Sequence, residues 1–263
     1  MHARIADIDI HYEISGQGPW LTLSHSLATH LGMWEPQLEA LGRHFTLLRY
    51  DTRGHGGTSV TEEPYTLDQL ADDVHGLLRH LGIARTHWLG LSMGGMIGQV
   101  LALRHPEVLD RVVLADTTGR VPAAGAAMWH DRVRIARSEG MAALEQPTLG
   151  RWFTDPFRAA QPALMQQIGT MIRTTPVAGY TGCCEAIAMT DTLEGLKGQR
   201  SPALVIVGDQ DQATPPAAAQ AIADHWPGAR LVVLPGAAHL ANIEQASGFN
   251  AAVLAFLTAS GRS

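Results

Sequence analysis

Six short runs of this chain are nearly unbroken in apolar, strand-favouring residues: "WLTLSH" at 20–25, "FTLLRYD" at 45–51, "THWLGLS" at 86–92, "RVVLAD" at 111–116, "ALVIVGD" at 203–209 and "RLVVLPG" at 230–236. Continuous runs of this kind suit strands covered on both faces, as in a parallel sheet, whereas a half-exposed strand would alternate. Segments with helical spacing lie between them at 67–81, 93–105, 216–226 and 242–259. A chain that alternates strand and helix in this way is an α/β protein. The start, "IADIDIHYEI", alternates instead and reads as an antiparallel hairpin turning at "DID".

From about Val121 to Leu196 no strand run appears, and the text is helical with punctuating Pro and Gly. The expected organisation is therefore a core of residues 1–120 and 197–263, with 121–196 inserted as a helical cap over one end of the sheet. At 263 residues one such core is of ordinary size. The formal net charge of −6 and the scattered Lys and Arg residues argue against nucleic acid and anionic membrane as partners. The N-terminus has no basic and apolar leader pattern, and no apolar run approaches the roughly 20 residues that span a bilayer. The two cysteines, Cys183 and Cys184, are adjacent, which suits neither an ordinary disulfide nor a zinc site. A soluble, cytoplasmic protein is expected.

The stretch "GLSMGG" places Ser92 where a buried strand ends and a helix of small and apolar residues begins. That is the setting of a G-x-S-x-G nucleophile elbow, in which flanking glycines allow a strained turn and a close backbone approach. The other reading is a tight turn with Ser92 as a helix cap. A serine hydroxyl attacks only when a base takes its proton, so the elbow reading demands a histidine and an acid. "PGAAHLANIE" supplies His239 just after the last strand run, and "VIVGDQDQATPP" supplies Asp209 and Asp211 beyond the end of another. Chemistry in open α/β sheets gathers at those strand ends. Asp211 is the expected acid, with Asp209 fixing its turn through backbone bonds. In "DTRGHGGTS", Arg53 is expected to pair with a carboxylate or carbonyl and His55 to be structural; Cys184 is expected to be a buried packing residue.

With these parts in the order Ser92, Asp211, His239, the chain resembles the α/β-hydrolases, through "DTRGHGGTS", "GLSMGG", "GDQDQATPP" and "AAHLANIE". More narrowly, "HSLATHLGMWEPQ", "RWFTDPF", "GYTGCCEAI" and "HLANIEQ" are similar to bacterial 3-oxoadipate enol-lactonases of aromatic catabolism. The resemblance implies a mostly parallel sheet of about eight strands with helices on both faces, and a hydrolase needing no metal or organic cofactor. By matched position it implies that the backbone N–H groups of Leu27 and Met93 form the oxyanion hole. The chain departs from the common His-Gly of that loop by carrying Ser26 after His25.

An enol-lactone with a carboxymethyl arm is an anion, so a cation should meet it. The cap offers Arg132, Arg134, Arg137, Arg151, Arg158 and Arg173. Arg132 is the expected substrate contact, with Trp129, Trp152 and Tyr180 as walls of an apolar pocket, Trp129 first because it opens the long helical segment "MWHDRVRIARSEG". The alternatives are a general carboxylesterase or another lactonase, such as one for acyl-homoserine lactones, then a carbon–carbon bond hydrolase or a non-catalytic ligand receptor on the same fold.

Overall fold

The computed structural model describes residues 1–259. In chain order the elements are β1 (His2–Ile5), β2 (Ile8–Gly16), β3 (Trp20–Ser24), α1 (Glu35–Gly42), β4 (Thr46–Tyr50), α2 (Leu67–His80), β5 (Thr86–Leu91), α3 (Met93–Arg104) and β6 (Leu109–Ala115). Six helices follow: α4 (Ala123–Glu139), α5 (Ala142–Trp152), α6 (Asp155–Ala160), α7 (Pro162–Thr174), α8 (Val177–Ala188) and α9 (Leu193–Leu196). The chain then re-enters the sheet through β7 (Ala203–Gly208), α10 (Pro216–His225) and β8 (Arg230–Leu234), and ends in α11 (Ala241–Glu244) and α12 (Ala246–Leu257).

The eight strands form one sheet in the order β1-β2-β4-β3-β5-β6-β7-β8. From β4 to β8 every neighbouring pair is parallel, while β2 runs antiparallel to β4 and β1 antiparallel to β2. Every residue of β7 is buried, as its Val and Ile content demands of a strand covered by helices on both faces. The run at 230–236 is different. As β8 it is an edge strand with Val233 exposed, because no strand covers its outer side.

Two other expectations are corrected. The hairpin turns at Ala6 and Asp7 rather than at "DID", with Ile5 opposite Ile8 and Ala6 at a φ of 48°. The helical stretch 242–259 is broken at Gln245, whose φ of −123° and ψ of 47° leave the helix. Local spacing reads through the break; the hydrogen bonds of Glu244 described below fix α11 where it is.

Because β3 lies between β4 and β5, the connections leaving β3 and β5 meet at their C-terminal ends, at the point where strand order reverses. The loop after β3 and the turn after β5 are thereby brought side by side.

Candidate active site

Ser92 is the single residue between β5 and α3, held at φ 55° and ψ −115°. Non-glycine residues avoid this conformation, so surrounding structure must impose it. The Ser92 amide donates to Ala115 O (2.9 Å) and Thr117 Oγ1 donates to Ser92 O (2.7 Å). A Cβ at Gly94 would lie 2.0 Å from Ser24 O, and one at Gly90 2.1 Å from Gly94 O. The glycines of the motif are thus the contact by which α3 packs against β3 and β5.

His239, in the loop between β8 and α11, reaches the serine with Nε2 2.9 Å from Ser92 Oγ. Its other nitrogen, Nδ1, lies 2.9 Å from Asp211 Oδ2. The carboxylate fixes the tautomer: Nδ1–H donates to Asp211, leaving Nε2 to accept from the serine hydroxyl. Asp211 also accepts from Ala213 N (2.7 Å), Thr214 N (3.0 Å) and Thr214 Oγ1 (2.7 Å). Burial by itself would raise the Asp211 carboxyl, but His239 and the Thr214 bonds outweigh it and hold it below the usual range. Asp209 accepts a backbone N–H as expected, but from Gly236 after β8 (2.8 Å) rather than from its own turn, so it ties the acid loop to the histidine loop.

A second carboxyl sits behind this row. Asp116, just after β6 with φ 44°, is fully buried and accepts from Gly208 N (2.9 Å) through Oδ1, while Oδ2 has no hydrogen-bond partner among the described residues. Burial, then the neighbouring Asp211 charge, push its carboxyl well above the usual range, opposite to the direction at Asp211.

Leu27 lies on the loop after β3, and Met93 follows the serine at the first position of α3. Both are buried, and neither backbone N–H donates a hydrogen bond among the described residues. Two histidines shape the Leu27 loop. His25 Nδ1 donates to Ser26 O (2.7 Å) and Nε2 accepts from Thr52 N (2.9 Å). His55 Nε2 accepts from Ala28 N (3.1 Å), which holds Ala28 at φ 59°. The Ser26 amide points at Met33 Sδ (3.2 Å), so the missing glycine is accommodated by a fully engaged backbone.

The aromatic and cationic residues expected to meet substrate are gathered together. Arg132 stacks on Trp129 with its guanidinium carbon 4.6 Å from the ring centroid, and its buried Nε has no hydrogen-bond partner among the described residues. Trp129 is half-buried and Tyr180 fully buried. Arg151 is also half-buried; burial, then the Arg132 charge, lower it to about 10, and Tyr180 is the neighbour that opposes this. Neither arginine forms an ion pair with a carboxylate among the described residues, whereas Arg134, Arg137, Arg158 and Arg173 all do. Trp152, next to Arg151, has its ring 6.5 Å from His239. Cys184, raised by burial to about 12, is inert beside Tyr180.

Sequence reasoning passed over Thr214, Asp116 and Glu244, whereas Trp152 was expected as a pocket wall and stands beside His239 instead. All three stood inside quoted runs; the roles of Asp116 and Glu244 rest on bonds across the fold, and that of Thr214 on the local turn around Asp211.

The matched family model, described as the alpha/beta hydrolase fold, covers residues 19–246. The chain belongs to the α/β-hydrolase family. Among its relatives are 3-oxoadipate enol-lactonase 2 of Acinetobacter baylyi, 37% identical over 95% of this chain and 94% of that protein, and 3-oxoadipate enol-lactonase 1 of the same organism, 33% identical over 88% and 85%. The crystal structure of the enol-lactonase from Burkholderia xenovorans superimposes with a TM-score of 0.95 at 42% identity, covering 98% of this chain and all of that one.

Proposed function

We propose that this protein hydrolyses 3-oxoadipate enol-lactone to 3-oxoadipate, with Ser92 as nucleophile, His239 as general base and acid, and Asp211 as the partner of the imidazole. The observation that carries the reading is the unbroken row Ser92 Oγ, His239 Nε2, His239 Nδ1, Asp211 Oδ2, with both links at 2.9 Å. Residues 121–196 act as the substrate-facing cap on a core formed by 1–120 and 197–263.

His239 takes the Ser92 proton as Oγ bonds to the lactone carbonyl carbon, and the carbonyl oxygen becomes an oxyanion. The free amides of Leu27 and Met93 receive that charge; one such donor is worth roughly 100- to 1000-fold in rate. Collapse breaks the ring C–O bond, and the imidazolium returns its proton to the departing enol oxygen. The enol tautomerises to the ketone while still joined to Ser92 as an acyl-enzyme. Water, deprotonated by His239, then releases the second carboxylate and restores the serine. Arg132 and Arg151 serve the carboxymethyl group, because two half-buried guanidinium groups without carboxylate partners are an anion site awaiting its counter-charge. Trp129 and Tyr180 wall the ring. The partner is thus a small anionic lactone, and the two buried free cysteines support a cytoplasmic setting. No helix among the described residues is long and apolar enough to cross a membrane.

The test is ultraviolet-monitored loss of freshly generated enol-lactone, with p-nitrophenyl acetate as a control. Ser92→Ala is expected to lower kcat by at least about 1000-fold. Turnover of the acetate ester without turnover of the lactone would keep the triad and remove the substrate.

A further inference from the structure

His239 is flanked by two backbone amides whose acceptors tie it to the cap. On one side Ala238 N donates to Glu244 Oε2 (2.9 Å); on the other Leu240 N donates to Trp152 O (3.1 Å). The other oxygen of the same carboxylate, Glu244 Oε1, accepts from Thr154 N (3.1 Å) and from Thr154 Oγ1. Residues 152–154 therefore form a strap from the end of α5 that is bonded to the histidine loop on both sides of the histidine. Glu244 is itself buried, and its two oxygens face only donors. That arrangement requires a carboxylate: an amide in its place would turn an N–H toward one of those donors. The strap begins directly after Arg151, whose guanidinium lacks a carboxylate partner among the described residues. The seam between strap, acid loop and histidine loop is a cleft of about 270 Å³ lined by Arg151, Thr154, Gln210, Gln212 and Ala238 among others.

We propose that Glu244 is a positioning residue that locks the His239 loop to the cap strap, so that seating an anionic substrate against Arg151 also sets the catalytic imidazole. The inference rests on the Ser92–His239–Asp211 reading. It explains why a buried acid stands five residues after the histidine without touching it.

The test compares wild type, Glu244→Gln, Glu244→Asp and Thr154→Val for kcat and KM on the enol-lactone and on p-nitrophenyl acetate from pH 5.5 to 9, together with the rate at which a fluorophosphonate labels Ser92. Loss of register at the base predicts a 10- to 100-fold fall in kcat on both substrates for Glu244→Gln, with KM little changed and the acid limb of the profile displaced. Glu244→Asp restores the charge at shorter reach and recovers part of that loss. Thr154→Val removes the hydroxyl bond to Glu244 together with the longer α6 cap bond from Phe157 N (3.4 Å), leaves the Thr154 N bond in place, and is expected to lower kcat on the lactone several-fold more than on the neutral ester. Wild-type kcat and an unmoved acid limb in Glu244→Gln, with only a lower Tm, would overturn the proposal. If that variant does not fold, an unchanged lactone-to-ester ratio in Thr154→Val overturns it instead. Failure of wild type to label at Ser92 would sink the triad reading and this inference together, and is thereby told apart from a failure of the inference alone.

Discussion

At the scale of the residue, His25 and His55 work by being neutral. Each accepts a backbone N–H through Nε2, which a protonated ring cannot do. Burial lowers His25 to about 4, and burial with the neighbouring His25 lowers His55 to about 3. Both lie below the value of about 6.5 expected in the unfolded chain, so the unfolded state binds protons first as the pH drops. Their stabilisation is complete above pH 6.5 and is lost as the pH falls toward 4 and then 3. Asp73 and Asp116, raised by burial, pull the other way, and His75 and His87 are lowered as well. A variant comparison cancels these. His55→Gln keeps an acceptor for Ala28 N and removes the titration. In urea unfolding, wild type should lose about 2 kcal/mol more than His55→Gln between pH 7 and pH 5. Parallel losses would mean that His55 is not held neutral.

At the scale of the element, the β5–α3 unit sets two general effects against each other. Gly98 lies in the middle of α3, where alanine ordinarily gains about 1 kcal/mol over glycine. Here a Cβ would stand 2.1 Å from Trp88 Nε1, an indole that is fully buried and donates to Gly94 O (3.2 Å). Overpacking of a tight core costs typically 1–3 kcal/mol, so packing outweighs propensity. Gly98→Ala is expected to lower the unfolding free energy by about 1 kcal/mol or more, and a rise in Tm would reverse that ranking. This unit was legible in the sequence because strand composition, glycine spacing and the following helix all describe one local object. The same holds for the turn at Asp211, closed by the Thr214 amide and hydroxyl three residues on, but not for the partner of Asp209, Gly236, which lies 27 residues away. The break at Gln245 was not legible, since its cause is the reach of Glu244 to Thr154, 90 residues away. The turn at Ala6 and Asp7 escaped for a smaller reason: alanine at positive φ carries no sequence signal.

At the scale of the whole molecule, the loop after β4 joins the sheet to helices α4 and α8 of the proposed cap. Arg53 pairs with Asp73 of α2 and with Asp7 of the hairpin turn, binding three parts of the core. The next residue, Gly54, touches Gly179 of α8, and Glu63 pairs with Arg137 of α4 and accepts from Thr181 of α8. A Cβ at Gly179 would meet Gly54 O at 1.9 Å, which is backbone on a loop already fixed by Arg53. The loop cannot yield, so Gly179→Ala must push α8, and with it Tyr180, away from the core. Core stability should suffer less than cap seating, because the sheet and its own helices are untouched. The expected result is a lower Tm together with a raised KM for the anionic lactone, while p-nitrophenyl acetate, which needs the triad but not the arginines, keeps most of its turnover. Equal loss on both substrates would mean that the cap supports the triad directly through this contact. An unchanged KM would mean that the anion is bound without the α8 face, and would return its recognition to residues of the core.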